Sequence, residues 1–257
     1  MSNYTINDWL DIGEMTLKRV AQRPRREAEI LLSSAINKDR LYLMTHGEEE
    51  CLAPDLHRMF ARRCEHEPIE YITSNVSFYS QEFYIAQGAL IPRPETELLI
   101  QKLLEKVEVQ STESIVEVGV GSGVISIVLA QHLKKAQFLA TDISANALRI
   151  AKMNISIKGM SKRIQILETD LLNGIDTKID ILVSNPPYIE DGIVLDENLS
   201  YEPQNALYAG NIGDEILRRL IDEAFDRGVR ILACEMGYDQ KDKISEYCKN
   251  LSFKSLE

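Results

Sequence analysis

The sequence predicts a doubly wound α/β domain that follows a small helical N-terminal domain. From residue 114 onward, short apolar strands alternate with helices, a pattern typical of parallel strands joined by right-handed crossovers. Before residue 70, apolar residues instead recur at spacings of three and four, as they do along one face of a helix.

The helical domain is predicted from amphipathic stripes. The clearest stripe lies in residues 27–36, and residues 8–20 and 54–66 show similar patterns. The apolar members of the clearest stripe are Ala28, Leu31, Leu32 and Ala35. We therefore assign residues 1–70 to a helical domain.

Residues 71–95 are predicted to link the two domains through a β-hairpin. The segment YITSNVSFYSQEFYI, which starts at residue 71, is rich in Tyr, Phe, Val and Ile, residue types that favour extended structure. The turn-rich segment ALIPRPETE follows at residues 89–97, and a helix is expected over residues 96–106.

The α/β domain is expected over residues 96–257. Beyond its first helix, the strands are predicted at residues 115–118, 137–141, 164–168, 179–184 and 229–234. The further helices are predicted at residues 123–133, 145–157, 214–226 and 240–249.

The composition narrows the classes of function. The N-terminus lacks the basic start and apolar run of a signal peptide, so we expect a soluble, cytoplasmic protein without a membrane anchor. Lys plus Arg number 29 and Asp plus Glu 40, so the net charge is 29 − 40 = −11, which disfavours direct nucleic-acid binding. The four cysteines and four histidines show no metal-ligand spacing, so no metal is expected.

A glycine-rich loop, EVGVGSG at residues 117–123, follows the first predicted parallel strand. A dinucleotide fingerprint needs Gly or Ala where this chain has Val124, and no Lys-Ser or Lys-Thr follows as in a P-loop. The loop therefore suits a ligand without a pyrophosphate, and Glu117 is expected to meet the ammonium of a bound amino acid. The predicted ligand-binding residues of the loop itself are Gly119, Val120, Gly121, Ser122 and Gly123.

Carboxylates also follow the next two strands. Asp142 is predicted to bind both ribose hydroxyls of a nucleoside; the alternative is a helix N-cap, for which Ser144 is better placed. Asp170 and Leu171 are expected to supply an edge hydrogen bond and an apolar cover for adenine. A nucleoside joined to an amino acid, without a phosphate, indicates S-adenosylmethionine.

The segment Asn185-Pro186-Pro187-Tyr188 follows the fourth predicted strand. Two prolines fix an extended backbone and leave nearby carbonyls free as acceptors. The Asn185 oxygen and the Pro186 carbonyl are predicted to accept both N–H bonds of a planar nitrogen that receives a methyl group, with Tyr188 stacked on the planar group. The alternative is a tight loop after a buried strand.

These segments resemble the release-factor glutamine methyltransferases of the HemK or PrmC type. The matching segments are REAEILL, ALIPRPETE, EVGVGSG, Asp142, NPPYI and YEPQNALYAG, so the resemblance covers nearly the whole chain. It implies a Rossmann-like class I methyltransferase domain that methylates the glutamine of the GGQ motif in peptide chain release factors. It also implies that the helical domain docks the protein substrate.

The resemblance further implies roles for individual residues. Gly119, Gly121, Gly123, Asp142, Leu171 and Asn185 are expected to contact the cofactor. Asn185, Pro186, Pro187 and Tyr188 are expected to hold the glutamine, with Arg93 and Pro94 of the linker signature on the substrate side. Two departures stand out. Many relatives have an aromatic residue where this chain has Leu171, and where this chain stops at LSFKSLE the family completes a sixth strand and adds a seventh, antiparallel one, so a shortened sheet edge is expected.

Two other functions fit parts of the pattern. The NPPY segment also occurs in enzymes that methylate adenine or guanine amino groups in nucleic acid, although the net charge of −11 disfavours that reading. A binding module that keeps the fold and the cofactor without turnover is the second alternative. The glycine spacing disfavours an oxidoreductase.

Overall fold

The computed structural model describes residues 4–110 and 112–251. The chain forms two compact units. The first contains Met1–Asn75 and Asp196–Tyr201, and the second contains Val76–Leu195 and Glu202–Glu257.

Helices form most of the first unit. They are α1 (Ile6–Leu17), α2 (Pro24–Ile36), α3 (Arg40–Thr45), α4 (Leu56–Cys64) and α5 (Ile69–Thr73). A capping box starts α1, in which the Thr5 side chain accepts from the Asp8 amide and the Asp8 carboxylate accepts from the Thr5 amide. Ala28, Leu31 and Leu32 of the predicted stripe are buried in the core of this unit.

The predicted extended segment from residue 71 begins instead at Asn75. Ile69–Thr73 forms α5, because the amides of Tyr71 and Ile72 bond the Pro68 carbonyl and both side chains are buried. β1 (Asn75–Phe78) and β2 (Gln81–Tyr84) then form a hairpin. Its two turn residues, Tyr79 and Ser80, have φ values of 51° and 56°, as a type I′ turn requires.

The second unit alternates strands and helices. Its further strands are β3 (Ser114–Val118), β4 (Gln137–Asp142), β5 (Ile164–Glu168), β6 (Ile181–Ser184), β7 (Ile189–Glu190), β8 (Tyr208–Gly210) and β9 (Ile231–Cys234). Its helices are α6 (Thr96–Lys106), α7 (Val124–His132), α8 (Ala145–Ile157), α9 (Glu215–Asp226) and α10 (Lys241–Asn250).

The main sheet has the strand order β5-β4-β3-β6-β9, with parallel pairing throughout. The chain winds outward from β3 to β5 and then returns to the other side of β3 with β6. This reversal of strand order confirms the predicted doubly wound architecture.

Two strands start two residues later than predicted. Pairing begins at Ile181 and Ile231, which lie opposite each other. Ile179 and Val229 still pack into the same core, so the apolar pattern extends beyond the ladder. The Val229 amide bonds back to the Ala224 carbonyl at the end of α9, which keeps that residue out of the strand.

The shortened sheet edge expected at LSFKSLE concerns residues 252–257, which lie outside the described residues. Among the residues that the structure does describe, no helix is both long enough and apolar enough to cross a membrane.

Candidate active site

The carboxyl ends of three neighbouring strands meet at one edge of the main sheet. Val118 of β3 lies opposite Thr141 of β4 on one side and opposite Ser184 of β6 on the other. The glycine loop, Asp142 and the segment from Asn185 follow at this edge. They therefore come together at the reversal of strand order, where doubly wound folds bind ligands.

A cavity of about 380 Å³ lies at this edge, a size typical of small-molecule sites. The structure brings most of the predicted site residues together around it. Those that line the cavity are Arg93, Glu117, Gly119, Val120, Gly121, Ser122, Asp142, Asp170, Leu171, Asn185, Pro186 and Pro187.

Gly119 and Gly121 shape the cavity wall through backbone conformations that favour glycine. Their φ values are 72° and 54°. A Cβ atom at Gly119 would lie 4.0 Å from the Asn185 carbonyl oxygen, and one at Gly121 would lie 4.0 Å from the Gly119 oxygen. Both positions border open space that a side chain would fill, so the loop forms a cradle for a closely bound ligand.

Asp142 joins the end of β4 to the glycine loop. Its Oδ2 atom accepts from the Gly121 amide at 3.0 Å, and its Oδ1 atom accepts from the Ser144 amide at 2.9 Å. Burial raises the pKa of Asp142, against the effect of these amides. Ser144 caps α8 by accepting from the Ala147 amide, so the N-cap role falls to Ser144 as predicted. A carboxylate has about four acceptor sites, so Asp142 keeps capacity for hydroxyl donors.

Glu117 is buried at the end of β3, with 1% of its surface exposed. Its Oε2 atom accepts from the Ser126 amide at 2.9 Å and from the Ser126 hydroxyl. Burial raises the pKa of Glu117 to about 8, the Ser126 bonds oppose this effect, and the charge of Asp142 adds to it. A cation in the cavity would favour the ionised carboxylate, which is consistent with a partner for an ammonium group.

Asp170 and Leu171 line the cavity after β5. Asp170 accepts from Arg219 Nη2 at 2.7 Å, so an ion pair uses part of the acceptor capacity expected for an adenine edge. Leu171 has a φ of 50°, a left-handed conformation that costs a bulky residue about 1–2 kcal/mol. Strain of this kind is concentrated at functional sites.

The Asn185 side chain is hydrogen-bonded within the site. Its Nδ2 atom donates to Thr96 Oγ1 at 3.1 Å, and the Thr96 hydroxyl donates to Glu235 Oε2 at 2.7 Å. Burial raises the pKa of Glu235, while the bonds from Thr96 and Asn185 lower it. Pro186 is buried beside them, and neither it nor Pro187 has an N–H that would compete for acceptors.

Arg93 forms an ion pair inside the second unit. Its Nη2 atom donates to Glu202 Oε1 at 2.6 Å, and Glu202 Oε2 accepts from the Ile91 amide at 2.9 Å. The Glu202 side chain is only 1% exposed. The pair therefore fastens the ALIPRPETE segment to the chain that follows the NPPY segment.

Three predicted site residues in the described part of the chain lie outside the cavity lining: Gly123, Pro94 and Tyr188. A Cβ atom at Gly123 would lie 3.4 Å from Ala151 of α8, so Gly123 allows the loop to pack on a helix. Pro94 is exposed just before α6. The Tyr188 carbonyl accepts from Gln240 Nε2 at 3.1 Å, and burial raises the pKa of its phenol.

Four polar residues near this edge were not predicted from the sequence: Thr96, Glu202, Arg219 and Glu235. Their side-chain partners lie between 49 and 139 positions away in the chain, so no local spacing reveals the pairs. One available signal is that Glu235 directly follows β9 and so ends at the same sheet edge as Asn185.

Within residues 4–110 and 112–251, His, Cys, Asp and Glu side chains form no group of three that could hold a metal ion.

Two family models match the chain. The model described as the PrmC N-terminal domain matches residues 8–73, and the model described as the methyltransferase small domain matches residues 94–202. The first match covers most of the helical unit, and the second includes the glycine loop, Asp142 and the NPPY segment.

Solved structures share the fold. The delta-N METTL16 MTase domain has a TM-score of 0.53 at 18% identity and covers 67% of this chain and 79% of its own. The hMettl16 catalytic domain in complex with MAT2A 3′UTR hairpin 1 has a TM-score of 0.55 at 14% identity, and the match covers 80% of this chain and 86% of that domain. At these identities the likeness shows a methyltransferase fold alone.

Curated relatives match over most of both chains. The release factor glutamine methyltransferase of Clostridium acetobutylicum is 35% identical over 242 residues, which cover 90% of this chain and 85% of the relative. That of Moorella thermoacetica is 35% identical over 250 residues, which cover 93% of this chain and 88% of the relative. The predicted resemblance is confirmed, and the chain belongs to the release factor glutamine methyltransferase family.

Proposed function

We propose that this chain transfers a methyl group from S-adenosylmethionine to the side-chain amide nitrogen, N5, of the glutamine in the GGQ motif of peptide chain release factors. The main support is that Asn185 and Pro186 line the same cavity as Gly119, Gly121 and Asp142. An acceptor pair for a planar nitrogen thus lies beside a cradle for a nucleoside. The names of the relatives support release factors as the substrate.

The residues around the cavity suit S-adenosylmethionine, which when bound supplies an electrophilic methyl group on a sulfonium. The backbone at Gly119 and Gly121 allows close approach, and Asp142 accepts from the ribose hydroxyls. Glu117 meets the ammonium, with its negative charge favoured by that contact. Leu171 and Asp170 flank the adenine.

The NPPY segment supplies the catalytic groups. The Asn185 oxygen and the Pro186 carbonyl accept the two N–H bonds of the glutamine amide and direct its nitrogen toward the methyl group. They also stabilise the positive charge that develops on the nitrogen as its bond to carbon forms and the carbon–sulfur bond breaks. The nitrogen then releases a proton to water. Pro187 of the cavity lining flanks the planar amide, whereas the stacking of Tyr188 stays a prediction, because Tyr188 lies outside that lining.

The helical unit, assigned to residues 1–70, is proposed to dock the release factor in the cytoplasm. Its match to the PrmC N-terminal domain supports this role. Arg93 and Pro94, in the linker of residues 71–95, belong to the substrate side of the proposed site. The methyltransferase domain of residues 96–257 provides the chemistry.

The test is methyl transfer from labelled S-adenosylmethionine to a purified release factor and to a variant with its GGQ glutamine replaced. We expect label on the unmodified factor alone. Label on neither protein, with cofactor binding shown by equilibrium dialysis, would overturn the assigned substrate. Label on DNA or RNA in a parallel reaction would support the nucleic-acid alternative instead.

A further inference from the structure

A part-buried hydrogen-bond chain joins three elements behind the NPPY segment. Asn185, after β6, donates to Thr96 at the start of α6, and Thr96 donates to Glu235 after β9. The Asn185 amide also lowers the pKa of the Glu235 carboxyl, against the effect of burial. Thr96 is only 2% exposed, so water has little access to its hydroxyl.

The chemistry of this chain fixes which way the Asn185 amide faces. An ionised carboxylate only accepts hydrogen bonds, and a hydroxyl has one proton to donate. Because Thr96 gives that proton to Glu235, its oxygen is left to accept from Asn185, so Nδ2 must face Thr96. The amide oxygen Oδ1 then lies on the opposite side, away from Thr96.

If the Thr96 hydroxyl served only to stabilise the start of α6, we would expect it to bond within that helix. A hydroxyl at a helix start commonly accepts from an amide of its own helix. α6 has no side-chain cap at its N-cap residue Glu95, and the Thr96 hydroxyl instead bonds a residue 139 positions away. Burial of a hydroxyl and a carboxylate here also costs desolvation free energy that an apolar pair would avoid.

We propose that Thr96 and Glu235 are positioning residues that orient the Asn185 amide so that its oxygen accepts from the substrate nitrogen. This inference rests on the proposed function, because it assigns a purpose to the orientation of Asn185. A reversed amide would present N–H groups to the N–H groups of the glutamine. Such repulsion would prevent the methyl acceptor from being held in line.

The test compares Thr96→Val, which keeps the shape and removes the hydroxyl, with Thr96→Ser, which keeps the hydroxyl. We expect Thr96→Val to lower kcat by about 10- to 100-fold, as misplacement of a reacting group does, with KM for both substrates changed by less than about threefold. Thr96→Ser should restore most of kcat. Thr177→Val, which makes the same change at an exposed position of the second unit outside the cavity lining, is the control for general effects.

A second readout does not depend on activity. In protein labelled with ¹⁵N-asparagine, the Asn185 side-chain NH₂ signals are identified by their loss in Asn185→Asp. We expect these signals to shift and to exchange faster with water in Thr96→Val and to stay in place in Thr96→Ser. Unchanged signals in Thr96→Val, or a full kcat despite changed signals, would overturn the inference.

Glu235→Gln provides an independent variant if Thr96→Val does not fold. Glutamine both donates and accepts, so the direction of the chain is no longer fixed. We expect a lower kcat and doubled or broadened Asn185 signals, and a single unchanged signal pair would overturn the inference. A wild-type protein that binds cofactor but does not methylate release factors would refute the proposed function, while the signals still decide whether Thr96 and Glu235 orient Asn185.

Discussion

Glu117 makes the stability of the chain depend on pH. Its pKa is about 8 in the folded protein, against an ordinary value of 4.5. Because the folded state holds the proton more tightly, the stability from this group is fully present below about pH 4.5 and is lost as the pH rises through about 8. At about 1.4 kcal/mol per pKa unit, we expect a loss on the order of 4 kcal/mol between pH 5 and pH 8.

Urea unfolding of the ligand-free protein and of Glu117→Gln at both pH values isolates this contribution. Glutamine does not titrate, so the variant should lose much less stability than the wild type over the same range. Parallel pH dependence of the two proteins would show that Glu117 is ionised in the folded state.

Asn185 is expected to act on the rate and not on cofactor affinity. Asn185→Ala removes an acceptor that stabilises developing charge, and loss of one such group typically costs about 10²- to 10³-fold in kcat. Cofactor affinity should change less than about threefold, because the glycine loop and Asp142 remain. Single-turnover kinetics and equilibrium dialysis measure the two quantities, and exposed Asn211→Ala is the matched control. Unchanged turnover in Asn185→Ala would contradict the proposed mechanism.

At the scale of elements, the glycine loop separates a cofactor role from a packing role. Gly121 and Gly123 both have left-handed φ values, 54° and 85°, so alanine at either costs about 1–2 kcal/mol of strain. Only Gly123 also faces α8, where a Cβ atom would lie 3.4 Å from Ala151. Gly121→Ala should therefore weaken cofactor binding at least tenfold, whereas Gly123→Ala should lose more stability and less affinity.

Titration calorimetry and chemical denaturation on the two variants measure these effects. Equal losses of cofactor affinity in Gly121→Ala and Gly123→Ala would contradict this prediction. They would show that the two glycines do not have separate roles in cofactor binding and in packing.

The strands were predictable because each buried parallel strand is a short apolar run, and the loops at their carboxyl ends must meet at one edge. Gly119, Asp142 and Asn185 do line one cavity. Residues 179 and 229 were wrongly predicted as strand starts, because their apolar side chains pack into the core before the backbone joins the ladder. A short helix, α5, also formed in a segment rich in β-type residues, because tertiary burial of Tyr71 and Ile72 overrode local preference.

The polar partners of the site could not be predicted in the same way. The bonds between Thr96 and Glu235, and between Arg93 and Glu202, join residues more than 100 positions apart. Their alignment depends on how α6, β6 and β9 pack, and not on any repeating pattern. Periodicity predicts which face of an element is buried, but it does not pair particular polar groups across the fold.

For the molecule as a whole, the site forms where hydrogen bonds and an ion pair join parts of the second unit that are distant in sequence. Glu202 accepts from both Arg93 and the Ile91 amide, so the segment before α6 is bonded to the segment after the NPPY residues. Breaking a buried pair leaves an uncompensated charge. Cavity shape and stability of the second unit therefore depend on the same contacts.

The net charge of −11 is the property of the whole molecule that bears on the choice of substrate. Proteins that track phosphates release counterions through Lys and Arg contacts and bind nucleic acid non-specifically with Kd values of about 10⁻⁴–10⁻⁶ M. We expect no mobility shift of duplex DNA or ribosomal RNA at about 10 μM protein and low salt, with a lysine-rich protein as the positive control. A shift whose affinity falls linearly in a log–log plot against salt would reveal a basic surface patch and favour nucleic acid as the methyl acceptor. If no such shift is seen, we expect the methyl acceptor at Asn185 to belong to a partner that binds without phosphate contacts. The glutamine side chain of a protein is an acceptor of this kind.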